Sequence, residues 1–177
     1  MVRTPAAVVV ALACSVAALA GCGASTQERA EAQLQDRLDG VHGGFLERRA
    51  LDPTATGTAA ADSLDHWSYS LQTTYAEDSV TFLRTIDAKV ETGGGLWYEQ
   101  VSLGACVEVV VEYGDGGDDR GTVTTEPVAC PAGTDLPGAD GPAGTVTDLD
   151  GRSDDVGVPP YVPPVCYSGG DCSRGGG

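Results

Sequence analysis

Between Phe45 and Trp67 the apolar residues of this chain change their period, and few folds accommodate that change. Upstream, Ala30, Leu34, Leu38, Val41 and Phe45 recur at spacings of four, four, three and four. Such spacings put one stripe along an α-helix, because residues three and four apart share a face. Downstream, Trp67, Tyr69, Leu71 and Tyr75 alternate with Ser68, Ser70, Gln72 and Thr74. A period of two sends alternate side chains to opposite faces of a strand. An amphipathic helix followed only by half-apolar strands predicts an α+β fold, with the helix packed on an antiparallel sheet.

The helix has a start and a stop. Ser25 followed three residues later by Glu28 matches a capping box. Asp52-Pro53 closes it, since proline cannot continue a helix. Gly40, Gly43 and Gly44 each weaken it by up to about 1 kcal/mol relative to alanine, which places any break near Gly43. Residues 54–61 are small and read as a connection.

Four further strands follow the first. Val80, Phe82, Ile86 and Val90 mark one, and Trp97, Val101 and Leu103 the next. Val107, Val109, Val111 and Tyr113 mark another, and Val123 and Val128 the last. Turn residues separate them, so about five strands should form a meander. A first turn at Ala76-Glu77-Asp78-Ser79 sets Tyr75 opposite Val80. A second at Thr92-Gly93-Gly94-Gly95 sets Val90 opposite Trp97 and Ile86 opposite Val101. Keeping Val101 beside Val107 then requires a bulged three-residue loop, Leu103-Gly104-Ala105. In the last hairpin, pairing Cys106 with Cys130 keeps Val107, Val109 and Val111 inside and both cysteines on the outer face. Pro127 marks that strand as an edge or a bulge.

After Pro131 the character changes. Gly, Pro, Asp and Thr dominate residues 132–177, and sparse apolar residues cannot offset the entropy of ordering. A disordered Gly/Pro/Asp-rich tail is expected, with Pro159-Pro160-Tyr161-Val162-Pro163-Pro164 extended as polyproline II. Truncation after Pro131 should then leave the fold intact. Cys166 and Cys172 close a local ring in this tail, so the expected disulfides are Cys106–Cys130 and Cys166–Cys172.

The first residues carry the address. Arg3 is followed by residues 6–20, almost entirely Ala, Val and Leu, and then by Leu19-Ala20-Gly21-Cys22 at their end. The run has the proportions of a secretory signal and is shorter than the roughly 20 apolar residues that cross a bilayer. Leu19, Ala20, Gly21 and Cys22 resemble the lipobox of bacterial lipoproteins. That resemblance implies a diacylglyceryl group on the Cys22 sulfur, cleavage before Cys22, and a lipid anchor on the outer face of the cytoplasmic membrane. Two acyl chains hold a protein stably where one does not. Cys14, inside the apolar run, is a poorer candidate, because a cut there leaves a very short apolar core. The organisation expected is a signal at 1–21, a membrane-proximal helix at 22–57, a sheet domain at 58–131 and the tail at 132–177.

A net charge of −16 opposes nucleic-acid binding, which needs a basic footprint. Lys89 is the single lysine against nine arginines, a usage similar to that of GC-rich actinobacterial genomes. The only histidines are His42 and His66, and no Gly-x-Ser-x-Gly elbow accompanies them, so no catalytic group is assigned. No Cys-x-x-Cys is present, and the cysteines lack metal-ligand spacing. Residues 148–155 hold the carboxylates of a calcium loop without its order, with Arg152 in the middle, and read as an acidic linker. Arg84 and Glu99 interrupt apolar faces and suit the sheet rim; Trp67, Trp97, Tyr69 and Tyr75 suit an aromatic core or a ligand cleft. No metal or cofactor is expected beyond the lipid. The function expected is a non-enzymatic module binding an envelope protein or a wall component. A small-ligand carrier or accessory subunit comes next, and a hydrolase third.

Overall fold

The computed structural model describes residues 24–65, 70–116, 119–136, 145–158, 165–166 and 172–173. Helix α1 (Thr26–Leu51) opens on the expected capping box. Glu28 N–H donates to Ser25 Oγ at 3.1 Å, and Ser25 N–H donates to Glu28 Oε2 at 2.6 Å. The three glycines do not break it. The buried stripe Ala30, Leu34, Leu38, Phe45 is fixed by packing, which outweighs propensity. The segment read as a connection runs into a second helix, α2 (Gly57–Asp65), which buries Ala60, Ala61 and Leu64. Its three alanines favour a helix and its apolar residues are spaced for one, a signal hidden by their small size.

The sheet has five antiparallel strands in sequence order: β1 (Gln72–Tyr75), β2 (Ser79–Gly94), β3 (Trp97–Glu112), β4 (Thr122–Val128) and β5 (Arg152–Asp155). The expected α+β architecture is present, but its strands divide differently. Tyr75 lies opposite Val80, as the first turn requires. The β2–β3 turn lies two residues further along the chain than expected, with only Gly95-Leu96 between the strands. Val90 therefore faces Val101, and Ile86 faces Ala105. The tight turn depends on glycine: Gly93 and Gly95 have φ of +105° and +72°, and a Cβ on Gly93 would lie 2.1 Å from Trp97 O. Gly104 is not a turn. It sits within β3 opposite Asp87, and Val101, Leu103, Ala105 and Val107 continue one alternation through it.

Helix α1 covers the inner face of the hairpin, antiparallel to β2. Thr26 bonds Thr92, and Phe45 meets Phe82 at 5.1 Å between ring centroids. Thr26 and Phe45 are about 29 Å apart along the helix. Thr92 and Phe82 are about 33 Å apart along the strand, so helix and strand run nearly alongside each other. Two apolar clusters result, one around Phe45, Phe82, Val109 and Val123, the other around Leu34, Leu38, Leu103 and Val107.

Cys106 and Cys130 form the expected disulfide on the outer face. The register differs by two residues: Cys106 faces Val128, and Val111 faces Val123. Cys130 thus lies beyond the end of β4. Pro127 lies past the end of the β4–β5 ladder, which covers only Thr122–Thr125, so its missing N–H falls at an edge.

Part of the expected tail is built into the fold. Strand β5 extends the sheet, Val146 N–H donates to Gly104 O at 3.0 Å, and Val156 N–H donates to Gly121 O at 2.9 Å. Val156 is buried in the first cluster, while Val146 and Leu149 pack on the second. The segment 145–158 is therefore a strap that closes the β3 and β4 edges. Disorder was expected because apolar residues are few, yet those few fall on the core and the rest of the anchoring is polar. Residues 165–166 (β6) and 172–173 (β7) form a short ladder with Cys166 opposite Cys172.

Candidate functional site

A cleft of about 490 Å³ opens between α1 and β2. Gly40 and Gly44, one turn apart on α1, line it, and a Cβ built on either meets nothing within 4 Å. With no side chains there, the helix leaves open space facing Arg84, Thr85, Ile86 and Asp87 of β2. Val41, Phe45 and Ile86 supply apolar walls. Arg37, Arg48 and Arg84 supply three guanidinium groups, a third of all arginines in a strongly acidic chain. The Arg84 guanidinium lies 5.6 Å from the Phe45 ring centroid, and Arg48 Nη1 donates to Leu64 O at 2.9 Å. Stacking and a backbone bond orient these planar groups in advance. A guanidinium carries five N–H donors and matches carboxylate or phosphate bidentately. The cleft volume falls in the range of small-molecule sites.

A second constellation joins α1 to the strap. His42, buried on α1, places Nδ1 3.1 Å from Thr125 Oγ1 and Nε2 2.9 Å from Asp154 Oδ2. Hydroxyl, imidazole and carboxylate are the ingredients of an acyl-transfer triad. Here accessibility is inverted. The Thr125 side chain is fully buried, with 0 % of the residue exposed, whereas Asp154 faces solvent. No substrate carbonyl reaches that hydroxyl, so the trio acts as a latch. A threonine hydroxyl donates or accepts, so the latch stays satisfied with imidazole neutral or protonated.

Two more pairs of bonds complete this attachment. Gln35 donates to Asp150 O at 3.0 Å and accepts from Asp150 N–H at 2.9 Å. Arg152 bonds both carboxylate oxygens of Asp39 at 3.0 Å. The Arg152 bond, followed by that of Gln35, holds the Asp39 carboxyl below its ordinary value. Residues 35, 39 and 42 of the helix thus hold residues 150, 152 and 154 of the strap.

At the far end of α1, Arg49 is buried. Its Nη1 donates to Ala55 O at 2.6 Å and Asp52 O at 3.3 Å, and its guanidinium lies 5.1 Å from the Tyr113 ring centroid. Burial lowers the pKa of Arg49 and raises that of Tyr113. This cluster fixes the α1–α2 corner.

The sequence-derived candidates scatter. Leu19, Ala20, Gly21 and Cys22 lie outside the described residues, as do His66, Trp67 and Tyr69. Trp97 and Tyr75 are both exposed, so neither belongs to a core. Arg84 lines the cleft, whereas Glu99 accepts a bond from Thr26 near the β2–β3 turn, some 26 Å along the strands. Asp150 and Asp154 of the acidic stretch engage α1, and among the described residues no group of three or more His, Cys, Asp or Glu is placed to hold a metal ion. Sequence reasoning missed Arg37, Gly40, Gly44 and Arg48, although their spacing puts them on one helical face. Comparison with family models, with curated proteins and with solved structures yields no match for this chain.

Proposed function

We propose that this chain is a lipid-anchored, extracytoplasmic binding protein without catalytic activity, and that the cleft between α1 and β2 takes an anionic group. The observation that carries the reading is that Arg37, Arg48 and Arg84 all line one glycine-opened, partly apolar groove in a chain of net charge −16. Guanidiniums along the walls of one groove suit a carboxylate or phosphate with an apolar neighbour to rest on Val41, Phe45 and Ile86. A small ligand or a group displayed by a wall component or envelope partner meets that description. Asp36 and Asp87 at the same cleft select against densely charged polyanions by repulsion. The lipobox Leu19-Ala20-Gly21-Cys22 supports anchoring by a diacylglyceryl group at the outer face of the cytoplasmic membrane.

The test is a titration of the full chain with inorganic phosphate and, separately, acetate, followed on the arginine Nε–Hε resonances. Saturable shifts at Arg48 and Arg84, lost in a folded Arg84→Met variant, support the reading. Absence of a saturable shift with either anion refutes it.

A further inference from the structure

Among the described residues, the β2–β3 turn carries the largest concentration of exposed apolar surface. Leu96 is 99 % exposed, Trp97 84 % and Tyr98 66 %. A soluble protein rarely presents three large apolar residues in a row without a partner for them. Their position in the fold names that partner. Behind the tip, Thr26 in the first turn of α1 bonds Thr92 and Glu99 on the two strands of the hairpin. The tip therefore projects past the N-terminal end of α1. Cys22 precedes Thr26 by only four residues, which span at most about 14 Å when fully extended. Whatever holds Cys22 holds this end of the molecule against it.

We infer that Leu96, Trp97 and Tyr98 form a membrane-facing wedge that sits in the lipid–water interface beside the acyl anchor. The inference rests on the lipobox reading, and three features of the tip agree with it. Tryptophan and tyrosine favour the headgroup level of a bilayer, where an apolar ring and a polar edge are both satisfied. Residues 93–98 carry no charge, whereas Lys89, Glu91 and Glu99 lie just behind them. Insertion is thus shallow and stops at that charged bank. Basic residues are absent from the tip, so the contact is apolar and does not depend on anionic lipid. The contact sets orientation as well: it would stand α1 and the cleft at a defined angle above the membrane, where a lipid tether alone allows rotation.

The test uses the full chain purified from cell membranes and reconstituted in phosphatidylcholine vesicles. The chain has two tryptophans, so Trp67→Phe leaves Trp97 as the reporter. If that variant folds poorly, the difference between the native chain and Trp97→Phe gives the same signal. Brominated acyl chains should quench Trp97, and its emission should shift to the blue. Quenching should be equal with and without phosphatidylglycerol, and Leu96→Asp should abolish it while the protein remains on the vesicles. Intact mass reports the lipid on Cys22 separately. A lipidated protein whose Trp97 stays water-exposed overturns the wedge, leaves the anchor standing and assigns the tip to a protein partner. An unlipidated chain recovered from the aqueous phase overturns both.

Discussion

Replacing Val156 by alanine should destabilise the fold, although composition alone assigns this residue to a structureless tail. Val156 is only 5 % exposed and packs in the cluster that contains Phe45, Phe82, Val109 and Val123. Its backbone bond to Gly121 O does not depend on the side chain. The substitution therefore removes two methyl groups and little else. At about 0.8 kcal/mol for each buried carbon, the transfer term is about 1.6 kcal/mol. Incomplete collapse around the vacated space adds to it, giving roughly 2–3 kcal/mol. For a domain of this size the thermal midpoint should fall by roughly 5–10 °C. Val158, two residues on and 77 % exposed, is the internal control: Val158→Ala should change stability by less than about 0.5 kcal/mol.

The assay is thermal unfolding by circular dichroism, with the Cys106–Cys130 bridge intact in every sample. Truncation after Leu136 should lower the midpoint further than Val156→Ala, since it also removes β5 and the contacts of Val146 and Leu149. If Val156→Ala and Val158→Ala unfold at the same temperature, the strap does not pack. The sequence expectation of a separable tail would then be correct.

Four other outcomes follow from the same physics. His42→Ala should cost about 1–3 kcal/mol, because Thr125 keeps a buried hydroxyl without its imidazole partner; faster amide exchange along the β4–β5 ladder is the readout, and unchanged exchange refutes the latch. The strap should loosen in acid. Asp39 has a lowered pKa in the folded state, so its contribution is present above the ordinary carboxylate range and disappears as pH falls through that lowered value; Asp39→Asn should remove this part of the pH dependence of Arg152 resonances, and the effect should be small because the pair is partly exposed. Replacing Cys106 and Cys130 by serine should cost roughly 3 kcal/mol from loop entropy, while non-reducing peptide mapping should find Cys166 joined to Cys172 and neither joined to the sheet. Cys22→Ala should abolish metabolic labelling by an alkynyl fatty acid, and labelling that survives would refute the lipobox reading.

What the sequence revealed was what depends on near neighbours. The capping box at Ser25 and Glu28 and the stripe from Ala30 to Phe45 are read over three or four residues, and both are present. Strand registers were legible only in part. Alternation fixes which face a side chain takes, and displacements of two or four residues leave every face unchanged. Both register differences are of that kind: two residues at β3–β4, and four at β2–β3, where the real loop is Gly95-Leu96. The need for a bulged loop at Gly104 was itself a sign that the assumed turn was misplaced, because Val101, Leu103, Ala105 and Val107 already share one face.

The strap was illegible for a different reason. Arg152-Ser153-Asp154-Asp155 has no apolar alternation to betray a strand. What recognises it is the near match between two periods: Gln35, Asp39 and His42 rise about 6 Å and then about 4.5 Å along the helix, and Asp150, Arg152 and Asp154 advance about 6.6 Å each along an extended chain. Neither segment shows this alone. The cleft was half legible in the same way. Gly40 and Gly44 read as weak points of a helix until β2 is laid beside them; then, with Arg37 and Arg48 on the same face and Arg84 opposite, their missing side chains become the space that a ligand needs. The residues that weaken the local structure are therefore those that open the candidate site, and the packing of Leu34, Leu38 and Phe45 on either side of them keeps the helix continuous despite that cost.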